Sequence, residues 1–323
     1  MKYPEKAMRA AALGLLLCFA LETEHIPQLR DKTIVRGAEL SRQGDGYAVT
    51  LICHQVMPAA NAADAKEQMQ AVRGEGETLL RACMQAEQQL PGRVTYPLCD
   101  VLVLSGPEIL QELEAVSQLV RANQKGSPAA KLLYTAAPYT DPTDEALSRR
   151  YASLRQAARK APRLYQAGKA VLLVPQIDGQ TTQVTGAAAL EKYRVTGTLS
   201  RQAARLYTCV TRGHGRMEVQ LDVARVPLYL MVSREVRGGS LFRRVDLFPV
   251  EDTLETGLAR RCKPEVLAQI QQLWREVEPL DRRNLAGGQG DACFFARKNS
   301  REPTNRPNAL PAQTKFVWMD KSH

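Results

Sequence analysis

Cysteine, histidine and serine carry most nucleophilic and metal chemistry, so their spacing in this chain of 323 residues comes first. The cysteines are Cys18, Cys53, Cys83, Cys99, Cys209, Cys262 and Cys293. No pair has the C-x-x-C spacing of a zinc ribbon or a dithiol redox site. His25, His54, His214 and His323 are too dispersed for a multi-histidine metal site. Cys53 and His54 are neighbours in a strand-like segment, which sends them to opposite faces and prevents a thiolate–imidazole pair. Cys53 therefore reads as a small buried hydrophobe. Ser105 and Ser240 are the serines that could serve as hydrolase nucleophiles, yet neither sits in G-x-S-x-G. The chain has no H-E-x-x-H, no G-x-x-x-x-G-K-[ST] and no EF-hand loop. Gly74-Glu-Gly76 does not extend to G-x-G-x-x-G, and its flanking acids would repel a phosphate, so it reads as a turn. Gly287-Gly-Gln-Gly290 reads as a flexible loop. His214, in Arg212-Gly-His-Gly-Arg216, reads as a turn residue. No catalytic residue, metal site or cofactor is expected.

The elements around these residues follow from periodicity. Tyr47, Val49, Leu51 and Cys53 alternate as a strand after the Gly44-Asp45-Gly46 turn, and residues 33–40 pair with it across that turn. Residues 74–78 read as a loop into a helix. Leu79, Cys83, Ala86 and Leu90 share its inner face, and Pro91-Gly92 stops it. Val101-Leu-Val-Leu104 is a continuous apolar run of strand length, the mark of a strand buried on both faces. Pro107 starts a helix through Leu110, Leu113, Val116 and Val120, and residues 131–135 form a further strand. A mixed α/β unit ends near Pro138. Asp141-Pro142 can cap a basic amphipathic helix carrying Leu147, Tyr151, Leu154 and Ala158. Asp178-Gly179 is a hairpin turn between residues 170–175 and 181–185. Ser200 is an N-cap for a helix that ends at Gly213. Three strands follow, around Met217 to Val223, Leu228 to Val232 and Leu241 to Val250. Pro264 opens a helix with Leu267, Ile270, Trp274 and Val277, stopped by Pro279. Residues 315–320 add a closing strand.

Composition is that of a globular protein, with 44% apolar and 24% charged residues. The N-terminus departs from it. Lys2, Lys6 and Arg9 precede an uncharged run from Ala10 to Leu21. As a helix this run spans about 18 Å, short of a bilayer core of about 30 Å. A basic start followed by such a run reads as an export signal, with a short buried helix as the alternative. Cys18 stands where a lipoprotein carries its acylated cysteine, while Cys18 and Ala20 also suit ordinary cleavage after Ala20. In an oxidising compartment the remaining six cysteines allow disulfides whose pairing spacing does not assign. Otherwise they are buried thiols. Net charge is +10 overall, but −3 over residues 22–140 and +11 over residues 141–323. The basic half suits an anionic membrane surface or an acidic partner. Nucleic acid is disfavoured for an exported chain with 6% aromatics.

Four segments, in order, resemble the Ger(x)C family, the C subunits (lipoproteins) of bacterial spore germinant receptors. They are Ile34-Val-Arg-Gly-Ala-Glu-Leu-Ser-Arg-Gln-Gly-Asp-Gly-Tyr-Ala-Val-Thr-Leu51, then Gly74-Glu-Gly-Glu-Thr-Leu-Leu-Arg-Ala-Cys83 with Leu90-Pro-Gly-Arg93, then Cys99-Asp-Val-Leu-Val-Leu-Ser-Gly106, and finally Val184-Thr-Gly-Ala-Ala-Ala-Leu-Glu-Lys-Tyr-Arg-Val-Thr-Gly-Thr-Leu-Ser200. The likeness runs from about Glu24 to Trp274. The chain departs from the family at Leu17-Cys18-Phe19-Ala20, where the family reads G-C-W-[DS], and at Cys99, where the family has histidine. Asp281 and Phe294-Phe295 are loose echoes of its C-terminal pattern.

The resemblance implies an α+β (mixed α/β) fold in three domains, each a small mixed sheet with packed helices. The expected parts are a signal or anchor segment at 1–21, an N-terminal α/β domain at 22–138, a middle domain with a hairpin at 139–198, and a C-terminal α+β domain with a divergent tail at 199–323. It implies a non-catalytic subunit at the outer face of the spore inner membrane, acting with integral membrane receptor subunits. Cys18 would be the lipidation site. Gly74 and Gly76, before the Leu79 helix, and Gly186 and Gly197, around the second domain junction, read as structural glycines, irreplaceable where φ must be positive. The rival reading is an exported small-molecule-binding or envelope adaptor protein.

Overall fold

A computed structural model describes residues 32–56, 67–137, 144–168, 172–222, 224–237, 240–250, 257, 261–281 and 312–319. The expected export segment and Cys18, as well as Cys293 and the loop at 287–290, lie outside them.

The described residues form two sheets. The first contains β1 (Lys32–Gln43), β2 (Gly46–Val56), β3 (Glu67–Gly76), β4 (Arg93–Thr95), β5 (Val101–Ser105), β6 (Lys131–Thr135), β7 (Leu172–Ile177), β8 (Val184–Glu191) and β9 (Arg194–Ser200). Its order is β3-β2-β1-β5-β6-β7-β8-β9, with β4 beside the start of β1. The four central strands β1, β5, β6 and β7 are parallel. Both wings are antiparallel. Helices between the parallel strands cover both faces. On one face α1 (Leu79–Glu87), α2 (Pro107–Gln111) and α3 (Leu113–Asn123) bury Leu79, Cys83, Ile109, Leu113 and Val116 against Leu40, Leu51, Leu102, Leu104 and Leu132. On the other face α4 (Asp144–Ala157) buries Leu147, Tyr151 and Leu154 against Ile52, Val101, Val103, Leu133 and Ile177. The uninterrupted apolar run of β5 follows from this arrangement. Its successive residues feed two different cores, and all five are buried.

The second sheet holds β10 (His214–Gln220), β11 (Arg225–Arg237), β12 (Ser240–Pro249) and β13 (Ala312–Trp318) in that order. α5 (Arg201–Arg212) and α6 (Lys263–Asp281) close one of its faces over Val219, Leu228, Leu230, Val245 and Leu247. Ser200 is at once the last residue of β9 and the N-cap of α5, its Oγ accepting from Ala203 N at 3.2 Å. At the other end Gly213 leaves α5 at φ +88°, and Arg234 donates to the terminal carbonyls of Val210 and Thr211 at 2.7 and 3.0 Å.

The fold is α+β, as expected, but the described residues hold two sheets where three small ones were expected. β7 pairs with β6 through Tyr134↔Gln176 and Thr135↔Ile177, so the hairpin of the middle segment extends the first sheet. Five local expectations change as well. Residues 74–76 belong to β3 rather than to a loop, because Gly74 and Gly76 pair with Val49 and Tyr47. The helix begun at Pro107 breaks at Glu112, whose carboxylate accepts from Arg42 and Tyr47. His214 opens β10 opposite Met231, since the turn is completed one residue earlier by Gly213. Pro279 lies inside α6, which runs on to Asp281. The closing strand begins at Ala312 and runs parallel to β12.

Candidate functional site

The four glycines singled out by sequence lie in strands, and none has a positive φ. Each instead admits a close neighbour. Gly74 and Gly76 seat α1 on β3. A Cβ on Gly74 would overlap Ala82 O and Ala86 N, and one on Gly76 would come within 2.8 Å of Ala82 N and 2.9 Å of Arg81 Cβ. A Cβ on Gly186 in β8 would overlap Leu199 O, whereas on Gly197 in β9 it would stand 3.3 Å from Leu280 Cδ2 of α6. The first pair and the second pair are not brought together. Each lies where two elements approach closely.

Ser105 and Ser240 lie in different sheets. Ser105, at the C-terminal end of β5, is 1% exposed and donates to Glu39 Oε1 of β1 at 2.5 Å. Glu39 Oε2 accepts from Arg150 Nη2 of α4 at 3.2 Å, and Arg150 Nη1 donates to Gly179 O of the β7–β8 turn at 2.6 Å. Glu39 and Arg150 are themselves buried. Burial of both charges is tolerable because each is paired and hydrogen-bonded. The result is a latch joining β1, β5, α4 and the hairpin, and its three charged or hydroxyl groups are turned to one another rather than to solvent.

The five described cysteines are buried and unbridged. Burial pushes the Cys53, Cys83 and Cys99 thiols up to about 12, so they are un-ionised at neutral pH. No group of three or more His, Cys, Asp or Glu among the described residues is placed to hold a metal ion. No helix among them is long and apolar enough to cross a membrane.

Accessible chemistry gathers at the opposite, N-terminal ends of β5 and β6. Asp100 Oδ2 accepts from Arg36 Nη2 of β1 and from Tyr151 OH of α4, each at 2.9 Å, and Arg155 Nε is 3.8 Å away. Burial, aided by the bond to Asp100, raises the Tyr151 hydroxyl to about 12, so it stays a donor. Beside this cluster opens a cleft of about 600 Å³. Lys131, Arg155, Arg159 and Arg163 line it, with Asp100 as its acid and Leu98 on its wall. The sequence shows only the basic, amphipathic character of α4. Lys131, and the short 3-10 turns at 158–160 and 164–166 that carry Arg159 and border Arg163, meet α4 only in the folded chain.

No family model matches the chain, and no curated protein matches it. Among solved structures, the crystal structure of the GerBC protein is similar with a TM-score of 0.45 and 9% sequence identity, over 87% of this chain and 96% of that one.

Proposed function

We propose that this chain is the non-catalytic C subunit of a spore nutrient germinant receptor, exported and held at the outer face of the spore inner membrane, where it acts with integral membrane subunits. The observation that carries the reading is the ordered set of four segments between Ile34 and Ser200 that resemble the Ger(x)C family. Those segments coincide with the β1–β2 hairpin, the β3–α1 junction, β5 and the β8–β9 hairpin. Two of them carry glycines whose missing side chains admit a neighbouring backbone. The basic run before Ala10 and the apolar stretch to Leu21 support export, and Cys18 supplies an acylation site.

Deleting the gene in the source organism tests the reading. The expected result is failure to respond to at least one nutrient, that is, spores that stay bright where wild-type spores darken, with integral membrane subunits co-purifying with the wild-type protein. Unchanged germination with every nutrient, together with no co-purifying membrane subunit, overturns it. Cys18→Ser is expected to release the protein from the membrane fraction, and mature protein beginning at Leu21 would refute acylation.

A further inference from the structure

The cleft beside Asp100 has a chemistry that the latch and the glycine seats lack. Between Glu145 and Asp178 the chain carries seven cations and no acid. One of them, Arg150, is consumed by Glu39. Arg155, Arg159 and Arg163 are delivered to the cleft, where Lys131 joins them from β6. Arg155 has a side chain 58% exposed and only a loose 3.8 Å approach to Asp100. Lys131 Nζ donates to the backbone carbonyl of Arg159 at 2.8 Å, which leaves its charge uncompensated. Among the described residues that line it the one carboxylate, Asp100, is already neutralised by Arg36. Four cations therefore face one carboxylate that is spoken for, which is an anion site by charge complementarity.

Apolar groups set its wider character. Leu98, on the wall of the cleft, is 52% exposed, and Pro97, Ala129, Ala152 and Ala158 line it too. Tyr165, two residues beyond Arg163, is another exposed large apolar side chain. Exposed leucine and tyrosine beside clustered arginine are the groups that sit at a bilayer interface, with the cations reaching phosphates and the apolar groups reaching the acyl boundary.

We propose that this cleft binds the phosphate headgroup of an anionic membrane lipid and so docks the α4 side of the first sheet on the bilayer. The assignment rests on the membrane-bound reading above. Arg155, Arg159 and Lys131 contact the phosphate, Arg163 closes the rim, and Leu98 enters the headgroup layer.

The test uses the full chain in flotation with vesicles of phosphatidylcholine alone and of phosphatidylcholine mixed with phosphatidylglycerol, so that binding through the N-terminal segment contributes equally to both. The wild type is expected to prefer the anionic vesicles, less so as salt rises. Replacing Arg155→Gln, Arg159→Gln and Arg163→Gln together is expected to reduce that preference by about fivefold per cation, on the order of a hundredfold in all. A control with Arg201→Gln, Arg212→Gln and Arg225→Gln, exposed residues of α5 and β11, carries the same change in net charge and is expected to lose far less. Circular dichroism checks folding, and should the triple variant misfold, Leu98→Asp and single Arg159→Gln are read in its place, with the same direction expected. Equal loss in the control, or full preference retained by the cleft variants, overturns the assignment. So does stabilisation of the wild type, but not the variant, by inorganic phosphate without any vesicle preference, which would mark a site for a free anion. Cleft variants that lose vesicle preference, in a protein whose deletion leaves germination with every nutrient unchanged and with which no membrane subunit co-purifies, uphold the lipid site and overturn the receptor reading. A deletion that blocks germination alongside a cleft variant that retains preference does the reverse.

Discussion

A glycine in a strand is usually a weakness, because it brings backbone entropy and no side chain. Gly74 shows what is gained here: α1 lies on β3 so closely that the space of a methyl group is already taken by Ala82 and Ala86 backbone atoms. Gly74→Ala is therefore expected to cost about 3 kcal/mol or more, by the cost of overpacking a fitted core. Gly197→Ala meets only the tip of Leu280 and is expected to cost under about 1 kcal/mol. Thermal unfolding of the two variants checks the order, and equal losses would contradict it. The thiols give a second test. Cys53, Cys83 and Cys99 are held near 12 by burial, against an ordinary 9.0. They are expected to resist alkylation in the folded protein at pH 8 and to react once it is denatured, as mapped by mass spectrometry. The sign for stability follows. Above pH 9 the unfolded thiols ionise while the folded ones keep their protons, so stability falls as pH rises from about 9 towards about 12. A melting temperature that climbs across that window would contradict the burial. In the sequence, Gly74 and Gly76 were visible as residues of note but not as strand residues. Flanking acids and glycines resemble a turn, and only pairing with Tyr47 and Val49 makes them a strand.

At the scale of elements, local signals were the readable ones. Ser200 and Gly213 bracket α5 because a cap acts within three residues of itself, and β5 was legible because burial on both faces leaves its mark on every residue. Ser200→Ala is expected to cost about 1 kcal/mol, and Ser200→Asp to preserve most of it, because either side chain accepts from Ala203 N. Denaturant unfolding with an unchanged m-value would report this as a loss of stability alone. Arg234 finishes the same helix from the neighbouring sheet, and no spacing in the sequence predicts it, since the carbonyls of Val210 and Thr211 lie 24 and 23 residues away.

The whole molecule is held by contacts of that long-range kind. Glu39 meets Ser105 across 66 residues and Arg150 across 111, so neither partner could be inferred from sequence, and the basic cleft was hidden for the same reason. Arg150→Met removes the cation from the buried Glu39 carboxylate and is expected to cost about 3–5 kcal/mol. Pairing it with Glu39→Leu is expected to recover a large part of that loss, which a double-mutant cycle on melting would measure. If the single and double variants were equally destabilised, packing rather than charge would be the latch's contribution.

The pairing of β1 with β5 has a consequence in time. Gly37 and Val101 are adjacent in the sheet but 64 residues apart in the chain. The hairpin of β1 and β2 can close early, while the parallel centre must wait for the chain between to be gathered in, an order of events that slows collapse into the native state. For the export proposed above, delay would be an advantage: a chain that has not yet knitted its middle is one that still fits a membrane channel.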